Sequence, residues 1–234
     1  MLKQYRWQIA GVAIAIAIVI AGKQFYRSAT AADLTFILAP TAQLVSWTSG
    51  GNFVYEAGPG WVDSNLRFII APPCAGVNFA LAAFLALALG SVMKMTSLRT
   101  TAARLGIALA LAYVATLVIN TLRITFAIAM HRGDIGLAGL DRAEAHRIEG
   151  IVVYLCGLLV LYAMAVGIER KTKWWLAIPL GAYLLITLIL PAANGAIARG
   201  DFARHAMIVL GMCTLAIALV FTASTALDHY RRRT

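Results

Sequence analysis

Charged side chains are scarce in this 234-residue sequence. Asp, Glu, Lys and Arg make up 13% of it, against about 25% in an ordinary soluble domain. Hydrophobic residues make up 61% and fall in long blocks, several near the roughly 20 residues that cross a bilayer. The short alternating segments of a transmembrane β-barrel are missing. The composition indicates an all-α integral membrane protein.

Acidic residues are also few, at 10 Asp and Glu against 20 Lys and Arg, which gives a net charge of +10. In a soluble protein this excess would suggest a nucleic-acid partner. Here the basic residues lie in short segments beside apolar blocks, where they orient a protein against an anionic membrane face. Because no nucleic-acid-binding pattern accompanies them, we expect membrane lipid and no nucleic acid among the partners.

The sequence has only three cysteines, Cys74, Cys156 and Cys213. Three cysteines cannot all pair within one chain, and no close Cys/His spacing typical of a zinc site occurs. We therefore expect no disulfide framework, no metal and no other cofactor. Cys156 and Cys213 lie inside apolar blocks, which favours a packing role for both.

Six apolar blocks are predicted to span the membrane within a single polytopic domain, residues 1–234. They are Trp7–Gly22, Phe68–Gly90, Leu105–Met130, Arg147–Ile168, Trp174–Pro191 and His205–Leu227. The first competes with a signal peptide, since Ala29-Thr30-Ala31 resembles a cleavage site. Lys23 and Arg27 lie between the apolar run and that site, which disfavours cleavage, so we expect a retained helix.

Basic clusters predict the orientation of these spans. With six spans, the clusters at 3–6, 94–104, 170–173 and 231–233 all fall on one side, which the positive-inside rule makes cytoplasmic. Both termini would then be cytoplasmic, and the protein would lie in the cytoplasmic (inner) membrane. Lys23 and Arg27 would lie on the outer side and are exceptions.

Residues 23–67 are predicted to form an extracytoplasmic segment. Asp33–Trp47 is apolar but too short to span, which is typical of an interfacial or re-entrant helix. A Gly58-Pro59-Gly60 turn separates Asn52–Ala57 from Trp61–Ile70, and both flanks are rich in aromatic and β-branched residues. This pattern predicts a small hairpin leading into the second span.

Cys74 follows Pro72 and Pro73 and precedes an apolar helix. Proline is tolerated at a helix start, so Cys74 is expected within the first turn of the second span, at the outer face. There the helix dipole and unpaired amides favour a thiolate, and the same amides suit an oxyanion. The alternative is a small buried cysteine with no chemical role.

Arg123 lies inside the third span, where an arginine costs about 2.5–3.5 kcal/mol by insertion scales. It could snorkel to the outer interface. Asn120 lies three residues earlier on the same helical face, however, and this polar patch favours a functional site.

His146 begins the fourth span, with Gly150 and Tyr154 on its own face and a glycine that permits a close helix approach. Histidine titrates near neutral pH and serves as an acid or base. The alternative is an ordinary loop histidine, with His131 as the competing candidate for the site. The predicted topology puts Cys74, Arg123 and His146 together at the outer leaflet, as a cysteine nucleophile requires.

The ordered set Cys74-Ala75-Gly76, Asn120-x-x-Arg123-Ile124 and His146-x-x-x-Gly150 resembles the exosortase/archaeosortase family. The stretch Cys74–Phe79, together with Leu38–Ala42, is most similar to the exosortase K branch. The resemblance covers about residues 35–165. Pro73 departs from the small polar residue that many members carry before the cysteine.

The resemblance implies a membrane-embedded cysteine transpeptidase or protease that cleaves the C-terminal sorting signals of exported proteins. Cys74 would form an acyl-enzyme thioester, His146 would handle protons, and Arg123 would stabilise the thiolate or oxyanion. Asn120 would position Arg123 or the substrate. Supporting positions implied by the same motifs are Ala75, Gly76 and Asn78. The resemblance names neither the substrate motif nor the acceptor nucleophile.

Two other classes of function remain open from the sequence. A non-enzymatic transport or assembly subunit would use Arg123 and Asn120 only to hold helices together. A lipid or glycan transferase would use Arg123 to bind a phosphate. Replacing Cys74 separates the enzyme from the subunit, and thiol alkylation separates the peptidase from the transferase.

Overall fold

The computed structural model describes residues 5–133, 142–167, 173–198 and 200–231. The chain is predominantly helical in these ranges. The helices are α1 Arg6–Ser28, α2 Thr35–Ser49, α3 Val77–Gly90, α4 Leu98–Arg132, α5 Arg142–Val166, α6 Ala177–Leu184, α7 Leu190–Ala193 and α8 Phe202–Arg231. A π-helical turn, Leu185–Ile189, joins α6 to α7, and 3₁₀ turns occupy Pro72–Cys74, Val92–Lys94, Lys173–Leu176 and Ala196–Ala198.

Five helical stretches of the described chain are long and apolar enough to cross a membrane. They are Arg6–Ser28, Pro72–Gly90, Leu98–Arg132, Glu144–Val166 and Phe202–Thr222. The apolar stretch Ala177–Ala193 is shorter. This architecture is compatible with an all-α membrane protein, and the predicted sixth span depends on the shorter stretch.

Several predicted boundaries are wrong. Residues 68–70 form a strand, and α3 begins only at Val77, because Pro72 and Pro73 cannot continue a helix. The helix of the fourth predicted span, α5, begins at Arg142 rather than Arg147, and the predicted end of that span, Ile168, lies outside the described residues. The fifth predicted span begins with a 3₁₀ turn, so its regular α-helix, α6, starts at Ala177 instead of Trp174.

The ends of α1 and α4 also differ from the prediction. Helix α1 continues to Ser28, so Lys23–Ser28 is helical and does not belong to the following loop segment. Helix α4 starts at Leu98 because Ser97 and Thr100 form a capping box. This reciprocal bonding satisfies amides at the helix start. The basic clusters at 3–6, 170–173 and 231–233 fall partly outside the described residues.

Helix α3 lies at the centre of the bundle and packs against α1, α4, α5 and α6. Its sequence is apolar on every face, and Phe79 and Leu81 to Ala88 are buried. A helix that is hydrophobic all round is typical of such a central position. The start of α3 is therefore surrounded by the ends of the other helices.

A three-stranded antiparallel sheet lies between α2 and α3. Strands β1 Val54–Glu56, β2 Gly60–Asp63 and β3 Phe68–Ile70 pair in the order β1-β2-β3. The predicted hairpin is present between β1 and β2, whereas Trp61–Ile70 is two strands and a turn rather than one strand. Buried Trp61 and Ile70 join the sheet to a second apolar core that includes α2 residues and Ala75.

The turn between β2 and β3 is organised by the carboxylate of Asp63. Its oxygens accept N–H bonds from Asn65 and Leu66, both at 2.9 Å, and from Asn52. Burial raises the pKa of the Asp63 carboxyl, but these three amides outweigh it, so the pKa lies below its usual value. The sheet thus uses a charged aspartate to hold its turn.

Candidate functional site

Cys74 ends the 3₁₀ turn that precedes α3, and its own N–H bonds to Ala71 O at 2.8 Å. Cys74 thus lies in the first turn of the spanning stretch Pro72–Gly90, as expected, but this turn is 3₁₀ and the regular helix α3 begins only after its N-cap, Gly76. Gly76 adopts φ +70°, a left-handed conformation that glycine tolerates, between the 3₁₀ turn and the helix. The half-buried thiol therefore lies just before the N-terminus of α3.

Asn120 ties the Cys74 turn to α4. Its Nδ2 donates to the carbonyl oxygen of Cys74 at 2.6 Å, and the residue is fully buried. A Cβ at Gly76 would lie 3.0 Å from Thr116 and 3.2 Å from Asn120. The glycine thus permits the close approach on which the Asn120 bond depends. This contact uses the backbone of Cys74 and leaves the thiol out of the network.

Tyr154 connects Asn120 to Arg123. Its hydroxyl donates to Asn120 Oδ1 at 2.7 Å and accepts from Arg123 Nη1 at 3.2 Å. The ring stacks on Phe79 with centroids 5.2 Å apart. In the predictions Tyr154 only shared a face with His146, whereas in the structure it bridges two helices. Its spacing to His146 was the one available signal.

Arg123 points into the bundle rather than to the lipid interface. Its side chain is 12% exposed, and Nη2 lies 3.1 Å from His146 Nε2. A Cβ at Gly150 would lie 2.9 Å from Arg123 Nε, so the glycine makes room for the guanidinium. Snorkelling is therefore excluded by these contacts. The network reaches Cys74 through Asn120, which donates to its carbonyl oxygen.

Glu149 is a site residue that the sequence reasoning missed. Its side chain is 3% exposed, and Oε2 lies 3.9 Å from Arg123 Nε and 3.4 Å from His146 Nδ1. Glu149 follows His146 by three residues, a spacing at which helical side chains meet. That spacing was the signal available in the sequence.

A cavity of about 480 Å³ opens beside these residues. It is bounded by the last part of α1, the start of α3, the last part of α4, the starts of α5 and α8, and α6–α7. Its lining includes Pro73, Asn78, Arg123, His146, Gly150 and Tyr154. The helix ends that were predicted to share one face of the membrane thus lie together at one end of the bundle.

Lys23 forms part of the cavity wall. Its ammonium donates to Asn78 Oδ1 at 2.7 Å and to Ile186 O at 3.3 Å, in the π-helical turn. In the predicted topology Lys23 lies on the outer side of the membrane, where the positive-inside rule does not expect a basic residue. The structure gives it specific polar partners, which links α1 to α3 and to the α6–α7 segment.

The cavity is rich in cationic groups. Lys23, Arg123 and Arg147 line it with His146 and His205, against one lining carboxylate, Asp201. Arg147 lies 3.8 Å from Asp201. The sequence around His205 shows no motif that indicates a functional role, but in the structure His205 lines the same cavity.

His131, the competing histidine candidate, is not among the residues that line the cavity. His131 is exposed in the last turn of α4, and the side chain of His229 lies outside the described residues. Cys213 is buried, in line with a packing role, whereas Cys156 is exposed. The packing expectation for Cys156 is wrong because its side chain points outward from α5. All three cysteines are free. No cluster of His, Cys, Asp or Glu suited to a metal occurs in the described part of the chain.

Comparison with protein-family models, curated proteins and solved structures finds no match for this chain. The family resemblance therefore depends on the motifs alone.

Proposed function

We propose that this protein is a membrane-embedded cysteine peptidase or transpeptidase, with Cys74 as the nucleophile. The observation that carries the proposal is a polar network at one end of the bundle: Arg123 contacts His146 at 3.1 Å, and Asn120 on the same helix holds the carbonyl of Cys74. A cysteine nucleophile needs this combination of thiol, proton-transfer group and cation. The resemblance to exosortases points to the same reaction.

The chemistry divides into two steps. The Cys74 thiolate adds to a peptide carbonyl carbon, and the C–N bond then breaks, leaving a thioester on Cys74. The thiol proton passes to His146 and then to the departing nitrogen. Water or an amine then gives a proton to His146 and adds to the thioester. The C–S bond breaks, and the proton passes from His146 to the departing sulfur, which restores the thiol. Water gives proteolysis and an amine gives transpeptidation.

Arg123 stabilises the negative charge that develops in both steps. In the resting arrangement its Nη2 donates a hydrogen bond to Nε2 of His146 at 3.1 Å. When Arg123 turns to the oxyanion, that nitrogen becomes free to accept a proton. Asn120 holds the Cys74 turn by its carbonyl, and α3, which has no side-chain cap, offers first-turn amides as further donors.

The substrate we propose is the C-terminal sorting signal of an exported protein. In this proposal the shorter apolar stretch Ala177–Ala193 is the sixth span. The positive-inside rule applied to the basic clusters then makes both termini cytoplasmic. The cavity opens on the extracytoplasmic side. A sorting signal whose own helix lies in the same membrane would reach Cys74 along the bundle.

The decisive experiment compares Cys74→Ala with Cys156→Ala, since Cys156 is an exposed cysteine on another helix. Membranes carrying each full-length variant are assayed for removal of the C-terminal segments of exported proteins, and Cys74 is examined by mass spectrometry for a bound peptide. We expect complete loss with Cys74→Ala and unchanged processing with Cys156→Ala. Normal processing by accumulated Cys74→Ala protein would overturn the proposal.

A phosphate-directed transferase is the second candidate, and the cationic lining of the cavity favours it. Lysine and arginine are the usual phosphate ligands in proteins. This candidate predicts activity that survives alkylation of Cys74 by iodoacetamide and is inhibited by inorganic pyrophosphate. The peptidase predicts the reverse pattern.

A further inference from the structure

Glu149 carries a buried carboxylate whose oxygens have no hydrogen-bond partner among the described residues. Burying a carboxylate is costly unless it is paired. Among the described residues, its Oε2 lies within salt-bridge distance of Arg123 Nε, at 3.9 Å, and of His146 Nδ1, at 3.4 Å. Arg123 Nε is itself without a hydrogen-bond partner. The carboxylate therefore lies where a small shift would let it bond both groups, as catalytic groups do on binding substrate.

The contacts of Arg123 determine which nitrogen of His146 carries the proton. A guanidinium can only donate, and Arg123 Nη2 lies 3.1 Å from His146 Nε2. Nε2 must therefore accept, so a neutral imidazole holds its proton on Nδ1. Nδ1 lies 3.4 Å from Oε2 of Glu149, within salt-bridge distance but without a hydrogen bond in the resting arrangement. In this tautomer Nε2 is the nitrogen with a lone pair, as a general base at the cavity requires.

We propose that Glu149 is the positioning residue for His146 and Arg123, an inference that rests on the proposed function. Its carboxylate keeps the His146 proton on Nδ1 and stabilises the imidazolium that forms when Nε2 accepts a proton. It also holds the guanidinium beside Gly150 until substrate draws Arg123 away. Glu149 touches no reacting atom and acts through these two residues.

Other charged groups line the same cavity from the surrounding elements. Lys23 comes from α1, Arg147 from α5, Asp201 from the loop before α8, and His205 from α8 itself. Asp201 is paired with Arg147 at 3.8 Å, whereas the carboxylate within salt-bridge distance of His146 is that of Glu149. Glu149 is thus the acid placed to govern this imidazole.

The test is the tautomer of His146 in the full-length protein, read by long-range ¹H–¹⁵N NMR of histidine-labelled protein in nanodiscs. His146→Gln assigns the signals. We expect a proton on Nδ1 in the wild type. In Glu149→Gln no carboxylate holds Arg123 beside His146 Nε2, and the new amide can donate to Nδ1. The proton should therefore move to Nε2. Peptide processing should then fall about 10²- to 10⁴-fold, as expected for lost general acid–base catalysis.

Two further variants complete the experiment. Glu149→Asp keeps the charge and should retain the Nδ1 tautomer with an intermediate rate. Glu144→Gln is the matched control, since Glu144 is an α5 carboxylate paired with Arg204, and it should leave tautomer and rate unchanged. Should Glu149→Gln fail to accumulate, a proton on Nε2 of His146 in folded Glu149→Asp overturns the inference.

An unchanged tautomer and a rate within threefold of wild type in folded Glu149→Gln would also overturn the inference, leaving Glu149 as a structural counter-ion for Arg123. The NMR reading needs no substrate, so its failure counts against Glu149 alone. An absence of any peptide adduct on Cys74 in the wild type counts instead against the proposed function.

Discussion

Gly76 is the residue whose missing side chain brings the Cys74 turn against α4. It adopts φ +70°, and a Cβ there would lie 3.0 Å from Thr116 and 3.2 Å from Asn120. Both neighbours are buried side chains on the same helix. The position of Cys74 in the site therefore depends on a residue without a side chain as well as on the polar residues around it.

Replacing Gly76 by Ala should therefore destabilise the protein and separate Cys74 from Asn120. The left-handed conformation costs a residue with a Cβ about 1–2 kcal/mol, and the steric contact adds to it. We expect a lower Tm in detergent and at least tenfold slower processing. Gly106→Ala is the control, because a Cβ at that position in α4 meets nothing within 4 Å. A Gly76→Ala protein as stable and active as the wild type would contradict this account.

The three-stranded sheet is the element with the clearest dependence on pH. Asp63 is buried, and its carboxylate accepts N–H bonds from Asn52, Asn65 and Leu66. Because the pKa of Asp63 is lowered in the folded state, its contribution to stability is present above the unfolded value of about 3.9. That contribution is lost as the pH falls through the folded value.

We expect the amides of Asn65 and Leu66 to lose protection from hydrogen exchange below about pH 4, after correction for the intrinsic pH dependence of exchange. In Asp63→Asn, protection should be weaker at neutral pH and should no longer change in the acid range. Helical amides of α3 provide the internal reference, since no carboxylate holds them. Equal protection in the wild type and Asp63→Asn at pH 7 would show that the turn does not need the charge.

The whole molecule has its candidate site at one end of the bundle, where the end of α1 and the starts of α3, α5 and α8 meet. The proposed topology makes this end extracytoplasmic. The opposite end carries the connection from α3 to α4, with Lys94, Arg99 and Arg104. This arrangement makes the two ends chemically distinguishable.

Reporter cysteines test that orientation in a background lacking the native cysteines. A cysteine at Glu56, in exposed strand β1, should react with a membrane-impermeant maleimide in intact cells. A cysteine at Arg99, exposed at the start of α4, should react only after permeabilisation. The opposite pattern would place the cavity in the cytoplasm and exclude exported proteins as substrates.

Composition and local pattern were sufficient to predict a helical chain with long apolar helices, because lipid-compatible composition and block length are local properties. The hairpin of β1 and β2 was predicted because its signal, a Gly-Pro-Gly turn between aromatic and β-branched residues, is also local. The start of α3 was not, since Phe68 to Ile70 can be read as helix until their pairing with β2 is known. Apolar runs of that length do not distinguish strand from helix.

The sequence by itself determined that Cys74, Arg123 and His146 stand near the ends of apolar segments, with Asn120 on the face of Arg123. Only the tertiary structure decided which side chains complete their surroundings. Tyr154 and Glu149 join the cluster from α5 and Lys23 approaches from α1, across helices far apart in the chain. Such contacts depend on how the helices pack, which no local spacing specifies. The i,i+3 spacing puts Glu149 beside His146, but only packing buries its carboxylate against Arg123 of α4.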